Sequence, residues 1–236
     1  TDWTAGVERL GGGSHNRPII SDFSVPGQGI IGVLHSLHVL PHPLSHPSKP
    51  HIVRSRSYQL AKHIANPIIS PNPNNSWEAF TTFNPAAVYV GNKVHIVYRA
   101  QGYDYVSVLG YASSSDGFTI DERHNEPCYL PREDFEYTGN KRPSSMHDIY
   151  ASGGGYGGVE DPRITQIEDR LYMTYVAYDG WSPPRVALTS ILVEDFLDNR
   201  WLWEKAVLIS PPGIVNKNAV IFPEKVRGKY VIFHRV

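Results

Sequence analysis

Three stretches of this sequence share one plan, and that repetition limits the fold more than any single motif. Val88-Tyr89-Val90 runs through Gly91-Asn92 into Val94-His95-Ile96-Val97-Tyr98. Ile164 to Ile167 runs through Glu168-Asp169 into Leu171-Tyr172-Met173-Thr174-Tyr175. Ala219 to Phe222 runs through Val226-Arg227-Gly228 into Tyr230-Val231-Ile232-Phe233. Each joins two apolar alternations through a turn signal, the pattern of a β-hairpin. Asn84-Pro85 and Asp161-Pro162 precede the first two copies, and tyrosines follow them at equal offset, Tyr98 and Tyr175. Asn218 starts the third copy, which ends in His234-Arg235. The units recur about every 60 to 75 residues, and no helical period exceeds one turn near Leu192 to Leu197. Such spacing predicts an all-β chain built from propeller blades of roughly four strands each. A β-sandwich is the alternative.

The pattern begins at Asn66. Residues 1–65 are rich in Gly, Pro, Ser and His, hold no period, and read as a poorly patterned, disordered extension. Residues 66–236 form the patterned domain. His42, His46 and His51 sit among Pro41, Pro43, Pro47 and Pro50, which break helical ligand spacing, and no acid or cysteine joins them, so no metal site is expected. Cys128 is the sole cysteine, so no internal disulfide can form, and a structural thiol is expected. A net charge of -1 gives no general attraction for nucleic acid or an anionic membrane, so any anion site must be local. No apolar run reaches the roughly 20 residues of a membrane span, and no signal-peptide pattern is visible, which favours the cytoplasm over export.

The run Gly153-Gly154-Gly155-Tyr156-Gly157-Gly158-Val159-Glu160-Asp161-Pro162-Arg163 is the chemical focus. A glycine loop permits close approach of a ligand, and the acids that follow it stand at the mouth of a strand. Pro162 is expected to push Asp161 toward an extended backbone. Arg163 is a candidate to hold a carboxylate or substrate. The repeat places Asn84, Asp161 and Asn218 at equivalent starts of inner strands, which converge on a propeller axis. Arg99, His234 and Arg235 come from the ends of the next strands. The competing reading is that each polar residue caps its own turn.

These anchors resemble glycoside hydrolase family 130, the mannoside phosphorylases and related mannosidases. The resemblance runs over about Asn66 to Val236 through Phe83-Asn84-Pro85-Ala86, Tyr98-Arg99-Ala100, Gly158 to Arg163, Asn216 to Glu224, and Tyr230 to Arg235. It implies a five-bladed β-propeller with a central site, of which about three blades are present. It also implies inverting attack on a β-mannoside, with Asp161 as general acid, acting directly or through a substrate hydroxyl. Asn84 and Arg99 match sugar-binding positions, with Glu160 and Arg163 beside them. Lys217, Asn218 and Arg235, with His234, match the phosphate-holding region. Lys217 stands where arginine is common and gives up the two-pronged grip on an anion. The implied partners are a β-mannoside oligosaccharide and inorganic phosphate as co-substrate, with no further cofactor, and the product is mannose 1-phosphate.

Two further readings compete. A hydrolase would need a second carboxylate to activate water, with Glu224, Asp148 and Asp179 as candidates. A non-catalytic carbohydrate-binding propeller would stack sugars on Trp77, Tyr103, Tyr156 and Trp181. An arabinan- or fructan-cleaving enzyme is disfavoured, because the three equivalent positions supply one acid rather than three. Three blades out of five lead to the expectation of a fragment or of completion by another copy in a homo-oligomer.

Overall fold

Alternating apolar residues with turn-forming pairs between them produce strands here, as the repeat predicts. The computed structural model describes backbone strands at residues 5–7, 20–25 and 28–34, and describes residues 61–137, 139 and 152–235 in full. The histidine and proline stretch 42–51 and Asp148 lie outside the described residues. Strands β1 (Ala5–Val7), β2 (Ile20–Val25) and β3 (Gln28–Leu34) precede the first hairpin. The first blade is a meander of β4 (Thr81–Val90), β5 (Lys93–Gln101), β6 (Val106–Ser114) and β7 (Glu122–Arg123). The second comprises β8 (Gly157–Ile167), β9 (Arg170–Tyr178), β10 (Arg185–Leu192) and β11 (Val207–Leu208). The third opens with the hairpin β12 (Lys217–Ile221) and β13 (Tyr230–Arg235), and β3 runs parallel to β13 with β2 and β1 beyond it. The fold among the described residues is nearly all-β and of propeller type, with three blades. Among the described residues the one α-helix is α1 (Val193–Leu197), the single turn expected from the sequence, and no helix is long and apolar enough to cross a membrane.

The turns obey local chemistry. Gly91 and Asn92 both take positive φ, 57° and 63°, as do Arg227 and Gly228, 53° and 76°. That geometry matches the right-handed twist of paired strands. Blades one and two touch at a short parallel bridge, Val106 to Gly157 and Ser107 to Gly158. Only glycine fits there, since a β-carbon on Gly158 would stand 2.2 Å from the Ser107 carbonyl oxygen. Strand β8 therefore starts at Gly157, and the acids expected at a strand mouth lie inside the strand.

The middle strands β5, β6, β9 and β10 are buried on both faces, whereas β12 and β13 leave Val220 and Phe233 exposed, and the period of two decides which core a residue enters. Val97, Leu109, Val159, Leu171, Met173, Tyr175, Ala187, Ile191, Phe196 and Trp203 fill the core shared by blades one and two. Tyr172, Val186, Leu188, Ala219, Ile221, Tyr230 and Ile232 fill the core between blades two and three. Ile96, Tyr98 and Ala100 turn to the opposite face of β5, against Ile68, Ile69 and Trp77. Complete burial of an aliphatic side chain stabilises by about 1.5–3 kcal/mol, so these layers fix the spacing of the blades. Cys128 is buried in the first core, its thiol pushed well above the ordinary value by burial, which agrees with a structural role. Trp77 is partly buried against Ile96, Tyr98 and Ala100 on the opposite face of β5, stacked on Tyr98 and donating its indole N–H to the Asn125 carbonyl at 2.8 Å. It is a packing residue and not a sugar platform.

Candidate active site

Successive side chains in a strand point to opposite faces, so Glu160 and Asp161 should diverge. They do not, because β8 carries a bulge between Glu160 and Arg163, and Asp161 adopts a left-handed φ of 51°. This corrects the extended backbone expected from Pro162. A bulge re-aims a side chain, and aspartate and asparagine are the non-glycine residues that enter the left-handed region most readily. The same device recurs in each blade. Asn84 has φ 46° at the β4 bulge, and Asn218 has φ 58° at the irregularity in β12. The equivalence read from the sequence is thus an equivalence of backbone geometry.

The bulges bring residues of the first two blades together. Asn84 Nδ2 donates to Asp161 Oδ1 at 2.8 Å, and Arg99 Nη1 donates to the same oxygen at 3.2 Å. Arg99 Nη2 donates to Glu160 Oε1 at 3.0 Å, so one guanidinium bridges two neighbouring carboxylates. Arg99 is fully buried, rests over the Phe83 ring at 4.5 Å, and donates Nε to Ser107 Oγ at 2.9 Å. Asp161 retains 15% side-chain exposure against none for Glu160, so Asp161 is the acid a ligand can reach. Among the described residues no group hydrogen-bonds its Oδ2. With two N–H donors on Oδ1, a proton on this carboxyl belongs on Oδ2, on the accessible side.

Glu160 is the electrostatic anchor. Burial pushes its carboxyl above the ordinary carboxylate range, Arg99, Lys217 and Ser152 pull it down, and neighbouring Asp161 raises it. Ser152 Oγ donates to Oε1 and Lys217 Nζ lies 3.7 Å from Oε2, while the same ammonium donates to the Ser152 carbonyl. Lys217 thereby joins blade three to the site. Its register partner on β13 is Arg235, which is exposed.

The remaining candidates sit elsewhere. Arg163 donates Nη1 to the Pro162 carbonyl at 2.8 Å, Asn218 is exposed, and His234 Nδ1 meets Asn216 Oδ1 at 3.1 Å. Of the alternative bases, Glu224 is exposed beyond β12, and Asp179 Oδ1 accepts the backbone N–H groups of Trp181 and Ser182, capping its own turn. Ser152, Ser107 and Gln101 were not found from the sequence. Gln101 Nε2 donates to Ser107 Oγ at 3.0 Å and to the Gly154 carbonyl at 2.8 Å, tying the glycine loop to the residue that holds Arg99.

A family model described as beta-1,4-mannooligosaccharide phosphorylase matches residues 46–236, starting twenty residues before the first hairpin-associated segment at Asn66. The chain is 34% identical over 196 residues to a beta-1,2-mannobiose phosphorylase of Thermoanaerobacter sp. (strain X514), covering 75% of this chain and 55% of that protein. It is 31% identical over 177 residues to a 1,2-beta-oligomannan phosphorylase of the same organism, covering 72% and 51%. A solved structure described as a glycoside hydrolase from Bacteroides ovatus ATCC 8483 shares 26% identity with a TM-score of 0.56, covering 73% of this chain and 52% of that chain. The chain spans about half the length of the curated relatives it matches. With four-fifths of its residues inside the family model and the acid, its asparagine and its arginine assembled as described, the chain belongs to glycoside hydrolase family 130.

Proposed function

We propose that this chain carries the acid half of an enzyme that cleaves β-mannosides by inverting phosphorolysis. Asp161 Oδ2 gives its proton to the glycosidic oxygen as the bond from that oxygen to the anomeric carbon breaks. A phosphate oxygen attacks that carbon from the opposite face, and the products are mannose 1-phosphate and the shortened saccharide. An alkoxide is a poor leaving group, and a positioned proton donor is worth roughly 10²–10⁴-fold. Asn84 and Arg99 aim the acid, while Arg235, exposed on the strand beside Lys217, offers a cation suited to a phosphate dianion.

The observation that carries this reading is the partly exposed Asp161 carboxyl, gripped on one oxygen by Asn84 and Arg99 beside a buried Glu160. The relatives' names, mannobiose and oligomannan phosphorylases, point to the same chemistry. A hydrolytic reading draws less support, since Asp179 caps its own turn and Glu224 is exposed beyond β12, while Asp148 lies outside the described residues. Incubation of the full chain with β-1,2- and β-1,4-mannobiose, with and without phosphate, tests the proposal. Mannose 1-phosphate formed only with phosphate is expected, and free mannose formed at equal rates in both would overturn it.

A further inference from the structure

Four aromatic rings form a continuous run that starts beside Arg99 and ends in solvent. Tyr156 belongs to the glycine loop, and its neighbour Gly155 packs so closely that a β-carbon there would stand 3.3 Å from Arg99 Nη2. The Tyr156 ring meets Tyr105 at 5.4 Å between centroids, Tyr105 meets Phe80 at 4.8 Å, and Phe80 meets Tyr103 at 5.9 Å. Phe80 directly precedes β4, the strand of Asn84, and Tyr103 and Tyr105 lie in the turn after β5, the strand of Arg99. All four therefore sit at the end of the blades where Asp161 is held. Tyr103 is 72% exposed and Phe80 42% exposed. A soluble surface rarely leaves large rings contiguous and uncovered without a use.

Tyr105 supplies an independent sign. Its φ is 59°, a left-handed backbone that ring-bearing residues seldom adopt. Its N–H donates to the Gly102 carbonyl and its carbonyl accepts from Tyr156 N at 2.8 Å, so the strained turn and the glycine loop are pinned together. The conformation sets the Tyr105 ring between Phe80 and Tyr156. Strain of this kind concentrates at ligand-binding segments.

We propose that Tyr156, Tyr105, Phe80 and Tyr103 form a platform for the distal sugars of an extended β-mannoside chain. The occupant follows from chemistry and place. The rings offer flat apolar faces suited to the C–H faces of sugars, and the tyrosine hydroxyls offer partners for sugar hydroxyls. The rings follow one line of contacts, from exposed Tyr103 to Tyr156 beside the Gly155 that packs against Arg99, which suits a linear saccharide. This proposal rests on the β-mannoside reading above and assigns residues to the sugars distal to the cleaved bond.

Tyr103→Ala tests it, since Tyr103 is exposed and contacts none of the groups around Asp161. With the full chain and saturating phosphate, KM for mannotetraose should rise about three- to tenfold, with kcat and the KM for mannobiose unchanged. Tyr103→Trp should restore the wild-type KM. Equal effects on both substrates, or none on either, would overturn the platform while leaving the phosphorylase reading intact. Should neither substrate turn over, that reading fails separately, and fluorescence titration with mannotetraose decides the platform. Weaker binding by Tyr103→Ala than by wild type supports it. Equal binding or no binding, including a surface that captures only protein, overturns it.

Discussion

Asn84 and Asp161 stand 77 positions apart and are joined by a 2.8 Å hydrogen bond, with the same left-handed backbone at the same bulge of successive blades. One residue uses that geometry to present an amide and the other to present an acid.

Asn84→Gly should separate the two uses of Asn84. Glycine takes positive φ without strain, so the fold should persist with a melting temperature within a few degrees of wild type. The missing amide releases Asp161 Oδ1, and kcat should drop about tenfold. Asn84→Ala should in addition lose about 1 kcal/mol of stability, because alanine is strained at φ 46°. Thermal melts paired with phosphorolysis rates check both outcomes.

Asp161→Asn keeps a residue suited to the left-handed bulge and removes the proton donor. Mannoside binding should survive, and turnover should fall roughly 10²–10⁴-fold. A rate within tenfold of wild type would show that the proton comes from another group. Titration calorimetry and product assays on one preparation separate binding from turnover.

Glu160→Gln should change the pH dependence of stability in a defined direction. The folded Glu160 carboxyl titrates above its ordinary value of 4.5, chiefly through burial, so the folded state keeps this proton to higher pH than the unfolded chain. The stability it contributes is full below 4.5 and falls as pH rises toward the raised folded value, by at most about 1.4 kcal/mol per pH unit. The stability of wild type minus that of Glu160→Gln should therefore decline as pH climbs from 4.5, whatever the absolute cost of leaving Arg99 and Lys217 without their anion. Urea unfolding across that window measures the difference, and parallel curves would contradict it.

Gln101→Leu should act on the site through Ser107 and the glycine loop. The Gly154 carbonyl loses its donor, at a cost of about 1–3 kcal/mol. Arg99 then loses a fixed neighbour, and kcat should fall severalfold with Asp161 untouched. A loss of stability with unchanged kcat and KM would assign Gln101 to structure alone.

The legible and illegible parts of this protein divide along physical lines. The three hairpins were legible because turn residues and a period of two act within a few residues, and the repeat set Asn84, Asp161 and Asn218 at equivalent strand starts with Arg99 nearby, of which Asn84, Asp161 and Arg99 are in contact. The buried partners of the repeated tyrosines were not legible. Tyr98 OH donates to Glu78 Oε2 at 2.8 Å, and Tyr175 OH donates to Glu136 Oε1, so equivalent tyrosines each reach a buried glutamate. Glu78 precedes its blade and Glu136 lies in a loop between blades, so neither keeps the repeat spacing. The equal offset of Tyr98 and Tyr175 was the available signal, and it marks a shared need for a buried acceptor.

By itself the sequence determined strand period, turn positions and the family to which the chain belongs, since these rest on local backbone chemistry and on residue identity. Tertiary structure alone decided that Glu160 and Asp161 share one guanidinium, that Lys217 reaches Glu160 from a third blade, and that Arg163 turns back on its own backbone. Side-chain direction at a bulge, and the choice of partner for a buried charge, depend on which surfaces of neighbouring blades are pressed together.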